Sequence, residues 1–188
     1  MNTQEDDKIL VEGCLRNQRN SQKKLYEKYA PVMLGICMRY VNCKDEAEDI
    51  MVEGFMKVFL SLYSYKEECS LFYWIKKVMV NNAISYYRKN SKHYQSISID
   101  DVEGYDVADT FNNMETNISQ KELLGIIQEM PEFLRVVMNL RAFDGYSYNQ
   151  IAEILDISEV TCRTRFCKAK QWLEERLESR SKKKLNEQ

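Results

Sequence analysis

Towards the end of this 188-residue chain, Val160, Arg163, Thr164, Cys167, Lys168 and Gln171 fall on one side of a helix drawn at about 100° per residue. Arg165 and Lys170 flank that side, and Cys162, Phe166, Ala169 and Leu173 occupy the other, which should pack on a domain. Two long cations, a hydroxyl and an amide near a helix start suit the major groove of DNA. Arg and Lys donate to guanine edges or phosphates, Gln pairs with adenine, and Thr touches a thymine methyl or a phosphate. A basic face alone fits an ordinary solvated surface equally well. The residues before it decide between the two readings. Ser147 and Gln150 stand three apart in a capping-box pattern, and Ile151, Ala152 and Leu155 form the buried stripe of a short helix. Asp156-Ile157-Ser158 then reads as a tight turn, with Ser158 capping a last helix from Glu159. Short helix, turn and basic second helix is the helix-turn-helix pattern. The candidate groove-facing set is therefore Ser158, Val160, Thr161, Arg163, Thr164, Arg165, Cys167, Lys168 and Gln171.

Two further stripes lie in the first half of the chain. Ala47, Ile50, Met51, Gly54, Phe55, Val58 and Leu62 make a broad core face of one helix. Its opposite side holds Asp49, Val52, Glu53, Met56 and Leu60. A purely solvated face would not need Val, Met and Leu, and apolar groups rimmed by charge mark a partner surface. On the next helix Leu71, Ile75, Val78, Met79, Asn82 and Tyr86 face inward, while Tyr73, Trp74, Lys77, Asn81 and Arg88 face outward. Cations meet phosphates, and rings stack on bases that have left the duplex. A Trp in a stripe is more often core, but Lys77, Asn81 and Arg88 beside it favour nucleic acid.

The elements that must carry these stripes are helical. Gly (6) and Pro (2) are scarce, so long stretches lack turn punctuation. Helices are predicted at about 6–16, 20–41, 45–63 and 71–90, with Asn20 or Ser21 capping the second and Ser70 the fourth. Pro131 sits at a predicted first helical position, before Phe133, Val136, Val137 and Leu140 at helical spacing. Asp144-Gly145 is a turn. Between Lys92 and Lys121 there is no Lys or Arg, while Asp100, Asp101, Glu103, Asp106 and Asp109 crowd together without periodicity. The predicted fold is all-α: two small helical domains, 5–92 and 119–178, joined by a flexible acidic linker at 93–118, the second domain a helix-turn-helix.

Net charge is −2, which excludes a generally basic DNA-coating protein; local sign decides which face meets phosphate. The first residues show no signal-peptide pattern, and no apolar run is long enough to span a membrane. A cytoplasmic, reducing setting follows, with the six cysteines as thiols. His93 is the only histidine and no C-x-x-C occurs, so neither a metal nor a cofactor is expected. No Gly-rich phosphate loop and no nucleophile–base constellation is present, which argues against catalysis.

At these residues the chain resembles the sigma-70 family, in its small extracytoplasmic-function (ECF) type. Leu25-Tyr26-Glu27-Lys28-Tyr29 is similar to L-Y-x-x-Y, and the run from Ala47 to Phe55 to A-E-D-[LI]-[VT]-Q-[ED]-x-F. Trp74-Ile75 with Val78 and Asn81 is similar to W-[LI]-x-x-[IV]-x-x-N. Met130-Pro131, the run from Gly145 to Leu155, and Thr161, Arg163, Thr164, Arg165, Lys168 and Ala169 resemble L-P, G-x-[ST]-Y-x-E-I-A-x-x-L and T-V-[KR]-[ST]-R-x-x-R-A. Order and spacing together make the resemblance specific over nearly all of 5–175. Val52 departs from a usual Gln, Val160 from a usual Gly and Cys162 from a usual Val, and Cys167 occupies a usually polar place.

The resemblance implies a transcription initiation factor without an active site. Residues 5–92 would be region 2, with Asp49, Val52, Glu53, Met56 and Leu60 docking on core RNA polymerase. Tyr65, Lys66, Glu67, Ser70, Trp74, Lys77, Asn81 and Arg88 would hold the opened −10 element. Residues 119–178 would be region 4, reading the −35 element. The implied partners are core polymerase, promoter DNA and an anti-sigma factor, membrane-anchored or not, with no small-molecule substrate; the free protein would be a monomer. A helix-turn-helix regulator without sigma activity is the alternative, but it leaves the two stripes of the first half unexplained.

Overall fold

The computed structural model describes residues 3–90 and 119–186, with side chains for 5–90 and 119–180. The predicted linker at 93–118 lies outside the described residues. Eight α-helices and no strand occur among the described residues. The chain divides into two compact units, Met1–Lys89 and Asn90–Gln188.

The first unit contains α1 (Thr3–Leu15), α2 (Arg19–Cys37), α3 (Lys44–Ser61) and α4 (Leu71–Asn90). Asn17 ends α1 in the left-handed conformation (φ 56), which lets Gln18 N–H reach the Gly13 carbonyl at 3.0 Å and its own N–H reach Cys14 at 2.9 Å. This paired closure satisfies carbonyls that a helix end would leave bare. The predicted caps Asn20 and Ser21 are corrected: α2 starts earlier, its N-cap is Gln18, and no side chain caps its backbone N–H groups. Nor does α2 run to residue 41. It stops at Cys37, and the i−3 bonds of Arg39 (3.2 Å) and Tyr40 (2.9 Å) turn the chain so that Tyr40 and Val41 are buried. Asp7 clasps α1 to α2, accepting from Lys28 Nζ at 2.6 Å and the Tyr29 hydroxyl at 2.7 Å.

The core face of α3 is buried as its spacing requires: Ala47, Ile50, Met51, Gly54, Phe55 and Val58, continued by Leu62 in a 3-10 turn at Leu62–Ser64. Each large apolar side chain so enclosed contributes about 1.5–3 kcal/mol. Leu71, Ile75 and Met79 of α4 meet that core fully buried. Val80, Ala83, Ile84 and Tyr87 are also buried, whereas Val78 and Tyr86, both predicted inward, are only partly covered. Gly54 explains how α4 comes so close: a Cβ there would overlap Met79 Sδ and stand 3.1 Å from its Cε. Asn82, buried on the same side of α4, donates to the Ile50 carbonyl at 2.8 Å and accepts from Lys57. A buried amide needs such partners, since leaving one bare costs about 1–3 kcal/mol.

The second unit contains α5 (Gln120–Glu129), α6 (Glu132–Met138), α7 (Tyr148–Leu155) and α8 (Glu159–Asn186). A capping box opens α5: Glu122 N–H donates to Ser119 Oγ at 3.2 Å, and Ser119 N–H to Glu122 Oε2 at 3.0 Å. Pro131 is the N-cap of α6 rather than its first helical residue, and its carbonyl accepts from Leu134 and Arg135 at 3.0 and 2.9 Å. A π turn at Asn139–Phe143 extends α6 into the predicted Asp144-Gly145 turn, where Gly145 takes φ 77. The Ser147/Gln150 capping box forms, with bonds of 2.9 and 3.2 Å. Asp156 closes α7 in the left-handed conformation (φ 54), and Ile157 N–H reaches back to Ala152 at 3.1 Å. The turn is therefore tight, and α8 begins at once with Ser158 accepting from Thr161 N–H at 3.0 Å. Helix α8 continues past the predicted domain end at 178, and no described helix is long and apolar enough to cross a membrane.

Candidate functional site

On α8 the inner side chains Cys162, Phe166 and Ala169 are buried, and burial pushes the Cys162 thiol up to about 11. Leu173 is only partly covered, and Leu177 one turn further is buried. Val160 (73 % exposed), Arg163, Lys168 and Gln171 face solvent, with Thr164 and Cys167 partly covered beside them. Ser158 and Thr161 are engaged in the helix cap, their hydroxyls 2.8 Å apart. Arg165 must be corrected. It does not flank an open face but is buried, its guanidinium over the Phe133 ring at 5.6 Å from the centroid. That cation holds α8 to α6, because a desolvated guanidinium is attracted by a ring face.

On α3, Asp49, Val52 (49 %), Glu53, Met56 (61 %) and Leu60 (75 %) form one exposed stripe. Lys57 pairs with Glu53 at 2.8 Å, and its hydrogen bond holds the Glu53 carboxyl below its usual range. On α4, Lys77, Asn81 and Arg88 are exposed and Tyr73 is 63 % exposed. Trp74 is half-buried and leans on Tyr65, ring centroids 5.6 Å apart, so it shapes the preceding loop as well as the stripe. Tyr65 donates its hydroxyl to the Cys69 carbonyl at 2.8 Å, closing that loop. Lys66 and Glu67 are exposed at its tip, Glu67 at φ 60 and 4.0 Å from Lys8 of α1. The carbonyl of Ser70 accepts from Trp74 N–H at 3.2 Å at the start of α4. No group of three or more His, Cys, Asp or Glu that could hold a metal occurs among the described residues.

These three surfaces coincide with two stretches of known kinship. The family model for Sigma-70 region 2 matches residues 25–93, and that for Sigma-70, region 4 matches residues 120–173. The chain belongs to the sigma-70 family. It is a sigma factor that directs RNA polymerase to promoters. This sigma factor is 28 % identical over 181 residues to the ECF RNA polymerase sigma-E factor of Haemophilus influenzae, covering 92 % of its own chain and 95 % of the relative. It is 26 % identical over 187 residues to the RNA polymerase sigma-H factor of Pseudomonas aeruginosa, covering 95 % and 97 %. Among solved structures, the sigma factor RpoE of Bartonella quintana, crystallised with the anti-sigma factor NepR, aligns with a TM-score of 0.50 and 19 % identity over 83 % of this chain and 96 % of that one. At that identity the likeness concerns the helical fold alone.

Some residues of the sigma factor's surfaces escaped the sequence reading. Glu159 is exposed, and its Oε1 accepts from Arg163 Nη2 at 2.7 Å and Nε at 3.1 Å. The spacing of four residues, acid first, was the available signal. Tyr148, first residue of α7, carries the Arg163 guanidinium 4.6 Å and the Arg141 guanidinium 4.8 Å from its ring centroid. Nothing local in the sequence announces that contact, which the turn between α7 and α8 creates.

Proposed function

We propose that this sigma factor divides promoter recognition between its two units. Residues 5–92 act as region 2. The stripe of Asp49, Val52, Glu53, Met56 and Leu60 docks on core RNA polymerase, supported by three large apolar side chains exposed among carboxylates. Lys77, Asn81 and Arg88, with the loop carrying Tyr65, Lys66 and Glu67 and with Trp74 behind it, capture the opened −10 element. Residues 119–178 act as region 4, and Val160, Arg163, Thr164, Cys167, Lys168 and Gln171 enter the −35 major groove. The acidic segment 93–118 connects the two. The factor has no catalytic group of its own, works in the cytoplasm as a monomer before it meets polymerase, and is held in check by an anti-sigma factor, as the Bartonella relative is bound by one.

The observation that carries the −35 assignment is the outer face of α8 from Val160 to Gln171. A polar, cationic face stands outward on a helix whose start is fixed by a tight left-handed turn and a hydroxyl cap. The test of the whole reading is run-off transcription with purified core polymerase on genomic DNA fragments, with start sites mapped. Specific starts that depend on the added factor are expected. A helix-turn-helix regulator would bind DNA and yield none.

A further inference from the structure

The cations of the α8 outer face are held differently. Lys168 is exposed and has no partner among the described residues. Arg163 is exposed too, but its guanidinium is fixed on two sides, by the Glu159 carboxylate at 2.7 and 3.1 Å and by the Tyr148 ring at 4.6 Å. An exposed ion pair one helical turn apart adds little to folding. What it does here is remove rotamer freedom from the one side chain best suited to read a base edge. Both contacts go to Glu159 Oε1, and Oε2 has no partner among the described residues. The pair therefore offers, side by side, a guanidinium donor and an open carboxylate acceptor.

We infer that Glu159 and Arg163 read a single G·C base pair as one unit, with Glu159 the specificity-determining residue that the family motif does not supply. The inference rests on the assignment of α8 to the −35 groove. In the major groove a G·C pair shows the guanine N7 and O6 acceptors next to the cytosine N4 donor. Arg163 donates to the guanine, and Oε2 of Glu159 accepts from the cytosine amine. An A·T pair cannot match the pattern, because thymine puts an acceptor and a methyl group where the carboxylate would lie. The same carboxylate repels phosphates, so Arg163 is kept from serving as a general backbone contact. Lys168, without a partner among the described residues, is suited to that task.

The experiment is a set of duplexes carrying all single-base changes across the −35 element, bound by the full-length factor in complex with core polymerase. Wild type, Glu159→Ala, Glu159→Gln and Arg163→Ala are compared. Wild type should prefer G·C at one position by about tenfold or more, which is about 1.4 kcal/mol per factor of ten. Glu159→Ala should flatten that position to within about threefold while raising affinity for unrelated duplexes, since a carboxylate beside phosphates is gone. Glu159→Gln, which keeps the size of the side chain, should flatten the same position, because its amide can donate as well as accept. If Arg163→Ala flattens a position and the Glu159 variants leave it sharp, the inference is overturned and the −35 assignment stands. Equal weakening of every duplex by both Glu159 variants also overturns it. If Arg163→Ala alters no position, the −35 assignment itself falls.

Discussion

Gly54 offers a sharp test of how α3 meets α4. A Cβ at this position would penetrate the Met79 Sδ and stand 3.1 Å from Cε, and Met79 is fully buried, so its thioether end must move within the core. In an exposed helix interior, Gly→Ala stabilises by about 1 kcal/mol through propensity alone. Overpacking a closed core costs about 1–3 kcal/mol. With Met79 enclosed, the upper half of that range applies, so Gly54→Ala should destabilise the first unit by about 1–2 kcal/mol net. For a unit of this size the melting temperature should fall by roughly 4–16 °C. Gly35 is the internal control: it is exposed in α2 and a Cβ there meets nothing within 4 Å. Gly35→Ala should raise stability by about 0.5–1 kcal/mol. Trp74 reports on the first unit once Trp172→Phe removes the other tryptophan, so urea titration followed by fluorescence gives both numbers. Shortening the neighbour in the double variant Gly54→Ala/Met79→Val should restore part of the loss. Should Gly54→Ala stabilise the protein as Gly35→Ala does, the two helices do not approach each other as described.

Reversing Asp49 and Glu53 to Lys should weaken binding to core polymerase at least about tenfold with native helical content, measured by titration of labelled factor; unchanged affinity would remove this stripe from the interface. Alanine at Lys77 and Asn81 should reduce permanganate-reactive thymines in the promoter bubble, and a pre-melted template should rescue only part of the defect; a normal bubble would place strand capture elsewhere. Thiol labelling at pH 8 should modify Cys43 and Cys69, both exposed, well before Cys37 and Cys162, whose thiols burial pushes up to about 12 and about 11. Because the thiolate is the reactive form, the slow pair should speed up only as pH rises towards those values or as the domains unfold; early labelling of Cys162 in the native state would contradict the packing of α8.

Local chemistry made much of this fold legible. Ser147 with Gln150, Asp144-Gly145, and the apolar spacing of α3 each encode a near-neighbour interaction, and each appears where its spacing puts it. Ser119 and Glu122 form a second capping box by the same rule, a signal present in the sequence and readable there. Failures occurred where the deciding partner is distant. Arg165 sits at the angular edge of α8, and periodicity alone leaves it outside; the Phe133 ring, contributed by α6, draws it in. Tyr86 and Tyr87 are neighbours in sequence, and which of them is covered depends on how α4 is rotated against the rest of the unit. The cap of α2 fell to Gln18 because the left-handed closure at Asn17 ends α1 and launches the next helix immediately.

The Asn82 amide has an implication for re-engineering promoter choice. It grips a carbonyl of α3 with one end and a lysine of α3 with the other, while the exposed residues of α4 point away on the far side. A graft of α4 alone onto another scaffold would arrive with a buried amide lacking its acceptor and donor. The transferable cassette is thus the helix pair with its intervening loop, from Lys44 to Asn90. Variation that retunes one proposed surface is inherited together with the other, so libraries built to change −10 preference should diversify the outer positions of α4 and hold Asn82, Lys57 and Gly54 constant.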